Sequence, residues 1–370
     1  MSRHPFDLPL LPLSPSDPLP WGYLGSIEHR SLAALSRLDG MMSASSKADL
    51  FWLTWLMKEA QCSNVIEGTV TTFVEIAGEN AGVAAPIDRR DDIAEVMNYR
   101  AAMLEGMTQI SEGRPLSLSL VKYLHSALLT GTRGRNKTPG EFRKVPVHIG
   151  RPGESVENAL YIPPEVYRLV DLLENWERFI KRDDLNPIVQ IAVAHAQFEL
   201  IHPFLDGNGR MGRLIITLFL ASKKLIHKPC LYMSSYLQSH RRDYYDALGD
   251  ISKRGDWTKW LLFFLEGMET HCGSNIELLD EMTNLYEISK RRFSEATNSS
   301  IVIDILDYVF ANPVFTVPGL MKQINPRLTH QGVVSVIKKL EKAGLVEELQ
   351  KGRGKRPNTY QFFPLIRLLL

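Results

Sequence analysis

Cysteine is scarce in this chain of 370 residues, and the three present, Cys62, Cys230 and Cys272, show no CxxC spacing. An odd, scattered set argues against both a disulfide framework and a structural zinc site, and it suits a reducing cytoplasm. Long apolar runs are missing too. Nowhere do about 18 uncharged apolar residues follow one another, as a membrane-spanning helix requires, so no membrane partner is expected. A net charge of +1 removes the whole-molecule attraction to nucleic acid or lipid that a strongly basic chain would have. The segment Met1 to Gly22 is crowded with proline and interrupted by Asp7 and Asp17, so it lacks the apolar stretch of a secretory signal and reads as an extended arm. Neither internal repeats nor low-complexity tracts occur. The remaining balance, 44% hydrophobic and 23% charged, is that of a soluble globular protein, and its length suits two or three domains better than one core.

Apolar residues recur at helical spacing from Ser26 to Ile110, as in Phe51, Trp52, Trp55 and Leu56, and then in Ile93, Val96 and Met97. Helical patterns continue through Leu116 to Leu129, Val166 to Ile180, Pro187 to His202, Arg213 to Lys224, Ser239 to Ser252 and Trp257 to Arg292. The stretch Thr138 to Pro164 is rich in proline and glycine, with short alternating pieces, and reads as a small β-hairpin flap inserted among helices. After Ser299 the composition shifts: ten Lys or Arg face five Asp or Glu. The order there is helix (Ile301 to Ala311), short helix (Val317 to Gln323), longer helix (Thr329 to Ala343), then a hairpin with a Gly-Arg-Gly-Lys-Arg tip, which is the layout of a winged helix. The expected organisation is an arm over 1–25, a helical region over 26–110, a core over 111–275, a linker helix over 276–298 and a winged helix-turn-helix domain over 299–370. The fold class is mainly α.

The stretch most informative about chemistry is Ile201-His-Pro-Phe-Leu-Asp-Gly-Asn-Gly-Arg-Met-Gly-Arg213. His202 ends a helix led by Pro187, where an imidazole positioned by a buried helix meets solvent and suits a general base. Gly207-Asn208-Gly209 is a turn able to adopt positive φ and to aim backbone N–H groups together just before a helix starting near Arg210, which makes an anion cradle. Asp206 adds one carboxylate, suited to a metal ion that bridges phosphate oxygens rather than to an all-protein cage. Arg210 and Arg213 are helical neighbours that can reach anionic groups. Together these groups supply the separate requirements of nucleotidyl transfer. His195, on an apolar stripe, reads as a core histidine. A phosphate-loop ATPase is set aside, because Gly131 to Thr138 lacks the adjacent Gly-Lys.

The run His202-Pro-Phe-x-Asp206-Gly-Asn-Gly-Arg210-x-x-Arg213 resembles the signature of the Fic family, whose members transfer AMP from ATP to protein hydroxyls. Pro139-Gly-Glu-Phe-Arg143, Val147-His-Ile-Gly150 and Tyr161-Ile-Pro-Pro164 look like that family's flap. Leu231-Tyr-Met-Ser234 and Tyr244-Tyr245 resemble the segments lining its adenine pocket, Tyr245 being taken as an ATP contact. The likeness extends from about Ser26 to Cys272. It implies a Fic helical bundle in which His202 deprotonates a Ser, Thr or Tyr hydroxyl and Asp206 holds Mg²⁺. Gly207, Asn208 and Gly209 would cradle phosphates oriented by Arg210 and Arg213. Val147, His148 and Ile149 would pair with the target backbone, although His148 also reads as a plain exposed hairpin residue. Thr217 stands where the family often has Asn.

Ser63-Asn-Val-Ile-Glu67-Gly68 resembles the family's inhibitory helix motif, which implies that Glu67 pairs with Arg213 in place of a γ-phosphate. The resemblance also implies a homodimer for several members. In the tail, Arg353, Lys355 and Arg356 at the wing tip and Lys338, Lys339 and Lys342 on the third helix either meet DNA phosphates or simply solvate a surface. Two functions therefore stand at this point. One is an autoinhibited protein adenylyltransferase acting on a protein target or on itself, and the other is a DNA-binding regulator with a nucleotide-sensing, self-modifying Fic domain.

Overall fold

The computed structural model describes residues 4–22, 24–150, 153, 155–324, 329–354 and 356–370. Helices dominate. The first region holds α1 (Ile27–Ala44), α2 (Ala48–Ile66), α3 (Phe73–Asn80) and α4 (Arg90–Ser111). At α3 a capping box starts the helix, Thr72 accepting from the Glu75 amide while the Glu75 carboxylate accepts from the Thr72 amide. Next come α5 (Leu118–Leu128), α6 (Leu169–Ile180), α7 (Pro187–Ile201) and α8 (Asn208–Ser222).

The central element is α7. From Ile188 to Ile201 every residue but Glu199 is buried, so the helix is apolar on all sides and other helices surround it. It packs against α6, α8, α10 (Arg241–Arg254) and the long α11 (Trp257–Thr297), while α9 (Ser234–Ser239) packs on α2. The expected pattern Ser239 to Ser252 falls almost wholly in α10, but its first residue, Ser239, ends α9, and His240 separates the two helices. Helix α11 runs unbroken through 275, so residues 276–297 continue the helix that packs on α7. His195 is a core residue. Its Nδ1 faces the Gly212 carbonyl at 3.1 Å and its Nε2 faces the Tyr244 hydroxyl at 3.1 Å, which ties α7 to α8 and α10.

Among the described residues the expected flap hairpin is reduced to one antiparallel bridge between Ile149 and Tyr161. Pro146, Pro163 and Pro164 flank that bridge and lack the N–H groups a longer ladder would use. The last segment consists of α12 (Val302–Ala311), β1 (Val314–Thr316), α13 (Val317–Gln323), α14 (His330–Lys342), β2 (Glu347–Gln350), β3 (Thr359–Gln361) and α15 (Phe363–Leu369). Its three strands form an antiparallel sheet in the order β1-β3-β2. Lys355 lies outside the described residues. Among the described residues no helix is long and apolar enough to cross a membrane.

The proline-rich arm is not loose. Leu8 and Leu11 are buried, and Asn175 of α6 brackets Leu11, accepting from its amide at 2.7 Å and donating to its carbonyl at 2.9 Å. Removing that amide leaves a buried backbone donor and acceptor unpaired, at a cost of about 1–3 kcal/mol. Asn175→Ala is therefore expected to lower the urea midpoint and to expose residues 8–12 to limited proteolysis; an unchanged midpoint would show that Leu8 alone holds the arm.

Candidate active site

The site is built where α7 ends and α8 begins. His202 terminates α7 in the left-handed region, at φ 49° and ψ 62°, which turns the chain sharply and carries the imidazole off the helix axis. Its Nδ1 faces the Glu199 carbonyl at 3.4 Å. Burial pushes the imidazole down to about 4, so it is a free base at neutral pH.

The loop after His202 is pinned from several sides. Asn208 accepts from the Phe204 amide at 2.8 Å and donates to the Phe204 carbonyl at 2.9 Å, so its side chain clamps the turn. His125 stacks on Phe204 with ring centroids 3.6 Å apart. Its Nδ1 accepts from the Gly140 amide at 2.9 Å, which leaves Nε2 as the donor to the Asp206 carbonyl at 2.9 Å. Burial pushes His125 down to about 4 and keeps this tautomer neutral. Arg143 reaches across with Nε to the His202 carbonyl at 2.9 Å and with a terminal nitrogen to the Pro164 carbonyl at 2.5 Å, so the flap is anchored to the turn at His202.

Gly207 sits at φ 77° as the N-cap of α8, a conformation that most residues with a Cβ avoid, and α8 starts at Asn208, earlier than its apolar pattern alone suggests. The Asp206 carboxylate accepts from the Gly207 amide at 2.6 Å and lies 3.4 Å from Arg210. Arg210 is buried and pairs with Glu95 at 3.1 Å. Glu95 also holds Arg133 at 2.9 Å. Among the described residues no group of three or more His, Cys, Asp or Glu could hold a metal ion unaided. Asp206, with its carboxylate 39% exposed, suits an ion that arrives on phosphate oxygens.

The electrostatic centre is Arg213. It is buried, donates to Ser63 through Nε to Oγ at 2.9 Å and through a terminal nitrogen to the carbonyl at 2.8 Å, and pairs with Glu67 at 2.6 Å. Glu67 follows the last turn of α2, just before Gly68 at φ 93°. Its carboxylate rests against Gly209, where an added Cβ would overlap the oxygen. A carboxylate thus lies over the first turn of α8, the position a helix N-terminus offers to an anion. Burial alone would raise the Glu67 carboxyl; Arg213, helped by Arg210 and His202, holds it below its ordinary value.

The remaining expected residues are spread around this centre. Tyr245 is 46% exposed and faces a groove beside it, while Leu231 to Ser234 and Tyr244 are buried behind it. Thr217 is also buried and donates to the Leu231 carbonyl at 3.2 Å. Ile149 makes the flap bridge with Tyr161, Val147 is half-buried and His148 is exposed. Glu95, His125 and Glu199 escaped the sequence reading. Glu199 had a visible signal, being the one charged residue within Pro187 to Ile201.

Comparison with known proteins places the chain in a family. The Fic/DOC family model matches residues 115–220 and the Fic/DOC family N-terminal model matches residues 29–108, between them about half of the chain. The chain belongs to the Fic/DOC family. Among curated Fic relatives, a protein adenylyltransferase Fic from Drosophila grimshawi is 25% identical over 204 residues, 53% of this chain and 40% of that protein. One from Culex quinquefasciatus is 29% identical over 133 residues, 35% of this chain and 23% of its own length. The protein adenylyltransferase and cysteine protease IbpA of Histophilus somni is 28% identical over 168 residues, 45% of this chain but 4% of that protein. The chain thus matches less than half the length of each of these relatives. Among solved structures, a Fic family protein from Desulfovibrio desulfuricans has a TM-score of 0.59 at 19% identity, covering 93% of this chain and 97% of the other. Fic-1 from C. elegans has a TM-score of 0.55 at 18% identity, covering 70% and 74% respectively. At these identities the structures speak for the fold alone.

Because Arg213 lowers the Glu67 carboxyl, the pair stabilises the folded chain above the ordinary carboxylate value of 4.5, and that contribution is lost as pH falls through the lowered value. Glu67→Gln is expected to melt below wild type at pH 7, with the gap closing as the pH drops under 4.5. An equal gap at every pH in thermal scans would count against the ion pair.

Proposed function

We propose that this chain is an autoinhibited protein adenylyltransferase that moves AMP from ATP to a Ser, Thr or Tyr hydroxyl of a protein target or of itself. The observation that carries the reading is a neutral imidazole, His202, set beside a helix N-terminus that already holds an anion on Arg213. In this reading His202 takes the proton of the attacking hydroxyl, whose oxygen forms a bond to the α-phosphorus. The bond from that phosphorus to the bridging oxygen breaks, and pyrophosphate leaves with the electron pair. The turn from Gly207 to Gly209 presents backbone N–H groups to the phosphates, with Asn208 holding the turn closed and Arg210 and Arg213 neutralising charge. Asp206 would hold Mg²⁺, which supplies charge neutralisation on the phosphate oxygens. Target backbone would lie along Val147, His148 and Ile149 as an added strand.

Glu67 acts as the brake, because its carboxylate and a γ-phosphate compete for the same guanidinium and the same helix turn. Ser63 fixes that guanidinium, and Gly68 ends the helix that carries the brake. Intact mass after incubation with ATP and Mg²⁺, alone and in lysate, tests the whole scheme. Glu67→Gly is expected to gain AMP adducts at least about tenfold over wild type, a loss of roughly 1.4 kcal/mol of inhibition or more. The added His202→Ala is expected to abolish them. Adducts in neither variant would sink the transferase reading.

A second activity is favoured by one feature of the tail. The outward face of α14 carries His330, Gln331, Ser335, Lys338 and Lys342, all exposed, with Glu341 the one acidic residue of the helix, while Val333, Val336, Ile337 and Leu340 face inward. We propose that residues 299–370 form a winged helix that binds duplex DNA through this face, with Arg353 and Arg356 at the hairpin tip. Fluorescence anisotropy with a duplex pool at low salt is expected to show binding that weakens steeply as salt rises, and Lys338→Glu with Lys342→Glu is expected to remove it. Equal binding by the charge-reversed chain would assign the α14 lysines to solvation.

A further inference from the structure

Behind Asp206 the acidic start of α4 and two arginines form a chain of ion pairs. Asp92 and Glu95 are three residues apart and share one face of α4. Arg133 divides its fork between them, with a terminal nitrogen 2.7 Å from Asp92 and Nε 2.9 Å from Glu95. The second oxygen of Asp92 accepts from the Val70 amide at 2.7 Å, so that carboxylate is fixed as well. Glu95 is left with one oxygen, Oε2, and it takes Arg210 at 3.1 Å.

Arg210 stands between two carboxylates of different character. The Glu95 side chain is buried, whereas that of Asp206 is partly exposed and lies 3.4 Å from the guanidinium, near the limit of a hydrogen bond. Opposite charges attract more strongly where water is excluded, so the buried carboxylate holds the guanidinium. Oδ1 of Asp206 accepts from the Gly207 amide and takes the long approach of Arg210, while Oδ2 has no hydrogen bond among the described residues. On that side residue 134 is glycine, and a Cβ there would come within 2.9 Å of Oδ2. Asp206 thus keeps one oxygen without a partner although a buried arginine sits beside it.

We propose that Glu95 is a positioning residue that holds Arg210 off Asp206 and so keeps the Asp206 carboxylate open for a divalent cation arriving with phosphate oxygens. Removing the charge of Glu95 leaves a buried guanidinium without its main partner, a state that a folded chain tolerates poorly. The carboxylate already beside Arg210 is that of Asp206, and the planar fork of arginine can take both of its oxygens. A cation then has to displace a salt bridge in order to bind. Glu95 acts through Arg210 and not on the ligand itself. The inference rests on the proposal that the chain binds an adenine nucleotide together with a metal ion.

The test is calorimetric titration of the full chain with ADP at neutral pH, once with Mg²⁺ and once with a chelator, reading the ratio of the two affinities. ADP neither reacts nor presents the γ-phosphate that Glu67 opposes. Wild type is expected to bind more tightly with Mg²⁺. Glu95→Gln, which keeps the shape of the side chain and removes its charge, is expected to lower the ratio about fivefold. A general loosening of the site would weaken both titrations and leave the ratio alone. Arg210→Ala, which removes the competitor, is expected to weaken both titrations alike, and adding Glu95→Gln to it is expected to leave the ratio where it was. Should Glu95→Gln fail to fold, Arg210→Ala still decides, because a ratio that rises in it would place Arg210 on Asp206 in the wild type and overturn the inference. A ratio unchanged in Glu95→Gln would overturn it too and leave the transferase proposal standing. A wild type that gains nothing from Mg²⁺ would take the metal from Asp206 and the inference with it, and one that binds no ADP in either condition would overturn the nucleotide reading itself.

Discussion

One buried guanidinium organises the site. Arg213 lies inside the helix bundle, where a lone cation would be far from water, and the chain meets that demand with the Ser63 hydroxyl and carbonyl and the Glu67 carboxylate. The same carboxylate answers the partial positive charge of the α8 N-terminus. Two separate needs for negative charge thus converge on one point, and an internal group fills it. A phosphate arriving there brings no new kind of interaction; it substitutes for one that exists. The proposed competition between Glu67 and an anionic ligand would consequently follow from the packing.

The remaining contacts deal with position. A histidine in the left-handed region strains the backbone, and such a turn persists only where its surroundings fix it. Here Asn208 closes the loop on Phe204, His125 fastens Asp206 from behind, and Arg143 ties the His202 carbonyl to the flap. Three side chains of different chemistry, from three parts of the chain, therefore hold one turn of about five residues. Burial keeps both His125 and His202 neutral, although only His202 stands where it could take a proton from a ligand.

The signature from His202 to Arg213 was legible in the sequence because its parts are adjacent, so spacing alone implies a shared locus. The mainly helical architecture was legible for a similar reason: periodicity is local. Apart from Glu67, which the motif from Ser63 to Gly68 had paired with Arg213, the partners of those residues were not. Glu95 lies 115 positions from Arg210, and nothing in the acidic start of α4 marks which carboxylate turns inward. His125 looks like any polar residue of an amphipathic helix until Phe204 is seen stacked on it. The flap misled in the other direction, since alternation suggested strands while the prolines beside it removed the donors a ladder requires.

On the proposed autoinhibition, the place of Glu67 decides how the brake would open. Helix α2 is held along its length: Phe51 packs 5.9 Å from Phe310, Trp55 reaches Met282 of α11, and Lys47 pairs with Asp307 at 2.9 Å. Moving the helix bodily would break a core shared with the last segment of the chain. Glu67, however, lies just past the final turn, with a side chain 35% exposed, and Gly68 follows at once. Rotation of that side chain frees Arg213 without disturbing Ser63 or the packing of Phe51. On that proposal release would be a local event, one ion pair being exchanged for a stronger anion on the same guanidinium.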